Sequence, residues 1–153
     1  MALKVELRPG ERIIIGESVI TNQQQRTRLV IDGNAPILRE RDILTADRAT
    51  TPATRVYLAI QLMYTSRDPR GQHDIYFTLI GDILRAAPSM LPYIERINNH
   101  ILTGYMYKAL KEAKKLIAYE RELLIHAAAS GTRLRQDCEA DGDTSRIGSE
   151  PVA

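Results

Sequence analysis

Apolar and polar residues alternate with period two at the start of the chain. Leu3, Val5 and Leu7 fall on one side and Lys4, Glu6 and Arg8 on the other, the pattern of a strand with one buried face. Pro9-Gly10 is a turn pair. Arg12 to Ile15, β-branched and apolar, predicts a second strand. Gly16-Glu17 breaks it, Ser18 to Thr21 predicts a short third, and Asn22 with three glutamines predicts a polar loop. Alternation returns in the stretch Arg26 to Leu44, RTRLVIDGNAPILRERDIL. There Thr27, Leu29 and Ile31 share one face while Arg26, Arg28 and Val30 share the other. Asp32, Gly33 and Asn34 make a turn, because glycine accepts positive φ without steric cost. Ala35 to Leu38 is a further apolar run, and it finishes on Arg39, Glu40, Arg41 and Asp42. The stretch predicts two strands joined by a tight turn, with arginines at both ends.

After Leu44 the period changes. Thr45 to Thr51 is a polar linker, and Thr51-Pro52 is a helix start, with Thr as the cap and Pro at the first helical position. Val56, Tyr57, Leu58, Ile60, Leu62, Met63 and Tyr64 make the following helix apolar nearly all round, so it is expected to be central. Ser66 to Gly71 ends it. Ile75, Tyr76, Leu79, Ile80, Ile83 and Leu84 form the stripe of a second helix that stops at Pro88. Ser89 is the expected cap of a third, lined by Met90, Ile94, Ile97 and Ile101, with Gly104 at its C-terminal cap. A last helix is expected from about Tyr105 to Ala128. Its stripe is Met106, Leu110, Ala113, Ile117 and Leu124, and Lys108, Lys111, Lys114 and Lys115 lie on the opposite face. From Ser130 on, the chain is Gly, Ser, Asp, Glu and Arg with few apolar residues, too little to offset the entropy of ordering.

The expected fold is therefore α+β: a small N-terminal antiparallel sheet or half-barrel over residues 1–46, a four-helix region over 50–128, and a disordered tail over 129–153. A sheet that small has open edges and a thin core, so it needs helices or a second subunit to cover it. The formal net charge is +2, so bulk charge predicts no polyanionic partner and only local clustering can. A single cysteine, Cys138, excludes an intrachain disulfide framework and a cysteine metal cluster. The charged N-terminus does not read as a signal peptide, and no run approaches the roughly 20 apolar residues of a membrane span. The expected location is cytoplasmic, with no membrane partner.

Catalytic chemistry is not indicated. His73, His100 and His126 stand alone, without HxH or HExxH spacing. His100 reads as a helix-end residue facing the C-terminal dipole, and His126 as a surface residue. Cys138 has no neighbouring histidine to activate it. Gly10, Gly16 and Gly33 form no phosphate-binding loop. Nothing implies an enzyme, a metal or a cofactor.

Arginine is the remaining signal. Arg26 and Arg28 share a strand face, Arg39 and Arg41 share another, and Arg8 ends the first strand. If the strands pair, several guanidinium groups line one sheet edge, where a planar fork suits phosphate and a flat face suits stacking on unpaired bases. Glu40 and Asp42 alternate with these arginines, so a salt-bridged, solvated face explains the residues equally well. The lysine face of the last helix has the same two readings, and Lys108–Glu112 is an ordinary i,i+4 pair.

The segments LKVELRPGERIIIGESVITN, RTRLVIDGNAPILRERDILT, ATTPATRVYLAIQLMY and NHILTGYMYKALKEAKKLI resemble the flagellum-biosynthesis repressor family FlbT over roughly Leu3 to Leu124. That resemblance implies a post-transcriptional regulator in flagellated alphaproteobacteria. It would associate with the 5′ untranslated region of flagellin mRNA, promote its decay, and work with a second regulator, FlaF. More weakly, GERIIIGESV and the order RLVID, AP, RERDI resemble the carbon-storage-regulator family of mRNA-binding β dimers. The resemblance places Arg8 on one of that family's basic positions and Arg39 or Arg41 on another, although Leu7 stands where the family has a second arginine. It implies RNA contact and a homodimer. The expected RNA-contact set is thus Arg8, Arg26, Arg28, Arg39 and Arg41, on a flagellin mRNA leader. The alternative is a protein-interaction module acting on flagellin expression through a partner.

Overall fold

The computed structural model describes residues 2–144, with side chains as far as Ser130. Five strands come first: β1 (Ala2–Leu7), β2 (Arg12–Ile15), β3 (Ser18–Thr21), β4 (Thr27–Asp32) and β5 (Ile37–Arg39). Four helices follow: α1 (Pro52–Thr65), α2 (Arg70–Ala86), α3 (Leu91–Leu102) and α4 (Met106–Thr144). The α+β class and the order of its parts are as expected. The chain divides into two compact units, one ending at Leu116 and the other beginning at Ile117. Both sheets and α1 to α3 belong to the first.

The alternation in β4 holds residue by residue. Thr27, Leu29 and Ile31 are partly buried, and Arg28, Val30 and Asp32 are exposed. Its pairing differs from expectation. The Asp32-Gly33 turn does not close a hairpin between β4 and β5. β4 pairs antiparallel with β1, with Leu7 opposite Thr27 and Ala2 opposite Asp32. β5 pairs with β2 in a second sheet of order β3-β2-β5. Gly33, at φ +129, carries the chain from one sheet to the other. Burial accounts for the choice. The inward residues of β1 and β2, Val5, Leu7 and Ile13, form a core against which Ile15, Leu29, Ile31 and Ile37 pack, so each later strand completes a different side of it.

Gln61 and two tyrosines fasten β5 and the segment after it to α1. The buried Gln61 side chain accepts from the Leu44 N–H at 2.8 Å and donates to the Leu44 carbonyl at 3.1 Å. The Tyr57 hydroxyl donates to the Asp42 carbonyl at 2.5 Å, and the Tyr64 hydroxyl accepts from the Ile37 N–H at 3.3 Å. The helix starts as its sequence dictates. The Thr51 hydroxyl accepts from the Thr54 N–H, and the Thr54 hydroxyl accepts from the Thr51 N–H, so two backbone donors of the first turn are satisfied reciprocally.

The start of α3 departs from expectation and its end does not. Ser89 is not the cap of α3. Pro88–Met90 form a 3-10 turn and the cap position falls on Met90, because the proline already sets the backbone into a helical turn. The other end is closed by Gly104 at φ +82. The Tyr105 N–H reaches the His100 carbonyl and the Gly104 N–H the Ile101 carbonyl, a Schellman arrangement that needs a left-handed residue. Of the tail expected over 129–153, the backbone is helical to Thr144, and residues 145–153 lie outside the described residues.

Candidate functional site

Three separated segments build one open groove of about 620 Å³. Arg8, Pro9, Gly10 and Glu11 come from the β1–β2 turn, Arg26 from the approach to β4, and Arg39, Glu40 and Arg41 from the end of β5, with Glu6 of β1 completing the wall. Four of the five expected arginines meet there. The fifth, Arg28, lines a different concavity with Lys4 and Val30. Arg39 and Arg41 do not share a strand face, because β5 ends at Arg39 and Glu40–Asp42 form a 3-10 turn. Both side chains reach the groove nonetheless.

Charge in the groove is mixed, with four arginines facing three glutamates. Arg26 Nε lies 2.5 Å from Glu6 Oε1. Glu40 faces Arg12 at 3.7 Å, and Glu11 accepts the Arg8 backbone N–H at 2.8 Å. Arg41 has only a 4.0 Å approach to Asp42. Among the described residues, the guanidinium groups of Arg8 and Arg39 have no ion pair. The groove thus holds salt-bridged and unengaged arginines together.

Asn22 positions two of these arginines, a role its place in a polar loop did not reveal. Its Nδ2 donates to the carbonyls of Leu7, Arg8 and Gln25 at 3.2, 3.0 and 2.7 Å. Its Oδ1 accepts from the Thr27 hydroxyl at 3.2 Å. One side chain therefore fixes the end of β1 against the entry to β4, where Arg8 and Arg26 sit. An asparagine beside Gln23, Gln24 and Gln25 carries no signal of this in sequence, beyond its general fitness for bonding loop backbone.

Beside the groove lies a second concavity of about 390 Å³, lined by Leu3, Ala35, Ile37, Arg39, Arg41, Asp42, Tyr64 and Tyr107. Asp42 is buried there. Its carboxylate takes an ion pair from Lys114 and a 3.4 Å bond from the Tyr107 hydroxyl. The Tyr57 phenol resists ionisation, first because it is buried and then because Asp42 and Tyr107 stand near. The lysine face of α4 is accordingly not one solvated stripe. Lys114 binds Asp42 and Lys115 binds Glu112, while Lys108 and Lys111 sit over the rings of Tyr105 and Tyr107. Glu112 pairs with Arg96 at 3.2 Å rather than with Lys108. Among the described residues, no group of three His, Cys, Asp or Glu is placed to hold a metal, and no helix is long and apolar enough to cross a membrane.

A family model described as "Flagellar protein FlbT" matches residues 3–124. The chain belongs to the FlbT family. It is 66% identical over 124 residues to the "Probable flagellum biosynthesis repressor protein FlbT 1" of Bradyrhizobium diazoefficiens, covering 80% of this chain and 85% of that protein. An FlbT protein of Rhodopseudomonas palustris is 53% identical, covering 81% of this chain and 98% of its own. The "Flagellum biosynthesis repressor protein FlbT" of Caulobacter vibrioides is 34% identical, covering 84% and 94%. No solved structure matches the chain. The FlbT match spans the whole arginine groove and the Asp42–Lys114 pair.

Proposed function

We propose that this FlbT protein represses flagellum biosynthesis after transcription, by binding the 5′ untranslated region of flagellin mRNA in the four-arginine groove and promoting decay of that message. Membership in a family whose relatives are named flagellum biosynthesis repressors supports the coarser part of this reading. The observation that carries the finer part is the meeting of Arg8, Arg26, Arg39 and Arg41 on one open groove, with Arg8 and Arg39 unpaired among the described residues. Phosphate contacts supply affinity through counterion release, and unpaired bases in a leader loop supply specificity. Neither step requires bond-making by the protein. It acts in the cytoplasm as a non-enzymatic regulator alongside FlaF, and a host nuclease cleaves the message.

Titration against a flagellin leader RNA tests this. Four phosphate contacts to a single strand predict an affinity loss of roughly fiftyfold between about 50 and 200 mM salt. The Arg39→Ala/Arg41→Ala double variant keeps its circular dichroism spectrum, binds more weakly, and its log–log salt slope is shallower by about 1.4. Glu6, Glu11 and Glu40 in the same groove favour a second reading, in which a protein partner of mixed charge, FlaF or flagellin, occupies it and the effect on mRNA is indirect. Absence of saturable RNA binding at low salt, with and without FlaF, sinks the direct reading and leaves the second.

A further inference from the structure

β4 lies at the edge of a two-stranded sheet. Its backbone pairs with β1 on one side, and among the described residues Thr27 to Asp32 form no other backbone hydrogen bond. An open edge is a template for another strand. The core beneath it is also incomplete. Val5 and Leu7 of β1 are 2% and 1% exposed, whereas Leu29 and Ile31 of β4 are only partly buried against them. On the outer face Val30 is 61% exposed. Arg28 and Asp32 flank it on that face, and neither takes an ion pair among the described residues. Glu6, across from Arg28 in the sheet, is engaged by Arg26.

We propose that two copies of this chain pair through β4, antiparallel, with Val30 opposite the partner's Val30. In that register each Arg28 stands opposite the partner's Asp32, and each Leu29 opposite the partner's Ile31. Two complementary charge pairs then flank an apolar centre, and the half-buried inner residues of both copies cover one another. No other register does this. A shift of one residue turns the inner face outward. A shift of two sets Arg28 or Asp32 against Val30, and a further shift opposes two arginines or two aspartates, which is unfavourable. The other open edges fit less well. β3, SVIT, has no charge to fix a register, and on the inner face of β1 Val5 and Leu7 are already covered, leaving only Leu3 exposed at its end. The pairing is independent of the RNA reading, and it gives Arg28, the arginine outside the groove, a separate task.

Light scattering of the full chain across micromolar to submillimolar concentrations should show the mass rising toward twice that of one chain. A monomer at the highest concentration overturns the proposal. In a Cys138→Ser background, Val30→Cys should crosslink on oxidation, because directly opposed residues of an antiparallel pair lie about 4.5–5.5 Å apart, within disulfide reach. Arg28→Cys should not crosslink. Crosslinking through Ile20→Cys in place of Val30→Cys would assign the contact to β3 and overturn it. Arg28→Asp or Asp32→Arg alone should weaken dimerisation about tenfold, and Arg28→Asp/Asp32→Arg together should restore it to within about threefold. Without that rescue the register is wrong.

Discussion

Asp42 shows how much one side chain can hold. Its backbone carbonyl takes the Tyr57 hydroxyl, its carboxylate takes Lys114, and it follows Arg41 of the groove. The ion pair is lopsided: the side chain of Lys114 is 44% exposed and that of Asp42 is 7%. Lysine can return to water when its partner is removed, but the aspartate cannot. Lys114→Met is therefore expected to cost about 2–3 kcal/mol, below the full loss for a wholly buried pair. Asp42→Asn should cost less. Urea denaturation of the two variants checks the order, and equal midpoints would refute it. The pair was not legible in sequence. Asp42 reads as one of several acids among arginines and Lys114 as one of several lysines, and the two are 72 residues apart.

At the level of elements, local rules performed well where the physics is local. The face alternation of β4, the Thr51-Pro52 start of α1 and the glycine that ends α3 all follow from period, cap chemistry and φ. Strand partners did not follow, because pairing is decided by which side of a shared core remains open. The α3–α4 contact also rests on a partner outside its own helix. Burial alone would raise the Glu112 carboxyl, but hydrogen bonds and charge from Lys115 and Arg96 outweigh it and hold the group below its ordinary 4.5. A depressed folded value means that this stabilisation is present above about 4.5 and is lost as pH falls through the lower folded value. Glu112→Gln should flatten the acid limb of stability against pH below that point, as measured by urea midpoints, and leave the shape of the profile near neutrality unchanged.

For the whole molecule, the arginines were visible in the sequence but their meeting point was not. Arg8, Arg26, Arg39 and Arg41 converge because β1, β4 and β5 come together, while Arg28, two residues from Arg26, goes elsewhere. β5 and the segment after it are tied to the helices that follow: Gln61, Tyr64, Tyr57 and Lys114 bond to Leu44, Ile37 and Asp42. A fragment of residues 1–46 is therefore expected to lack a dispersed amide NMR spectrum, and a native-like spectrum would contradict this. The same long-range ties bear on how the chain is made. On the ribosome, β2 and β3 meet early as neighbours in sequence. β1, although it emerges first, has no partner until residue 32 has followed it out, and Asp42 gains its Lys114 ion pair only when that lysine has been synthesised. The support next to Arg41 is thus completed late, and a chain cut short before residue 114 is expected to carry the four arginines without the Asp42–Lys114 pair beside them.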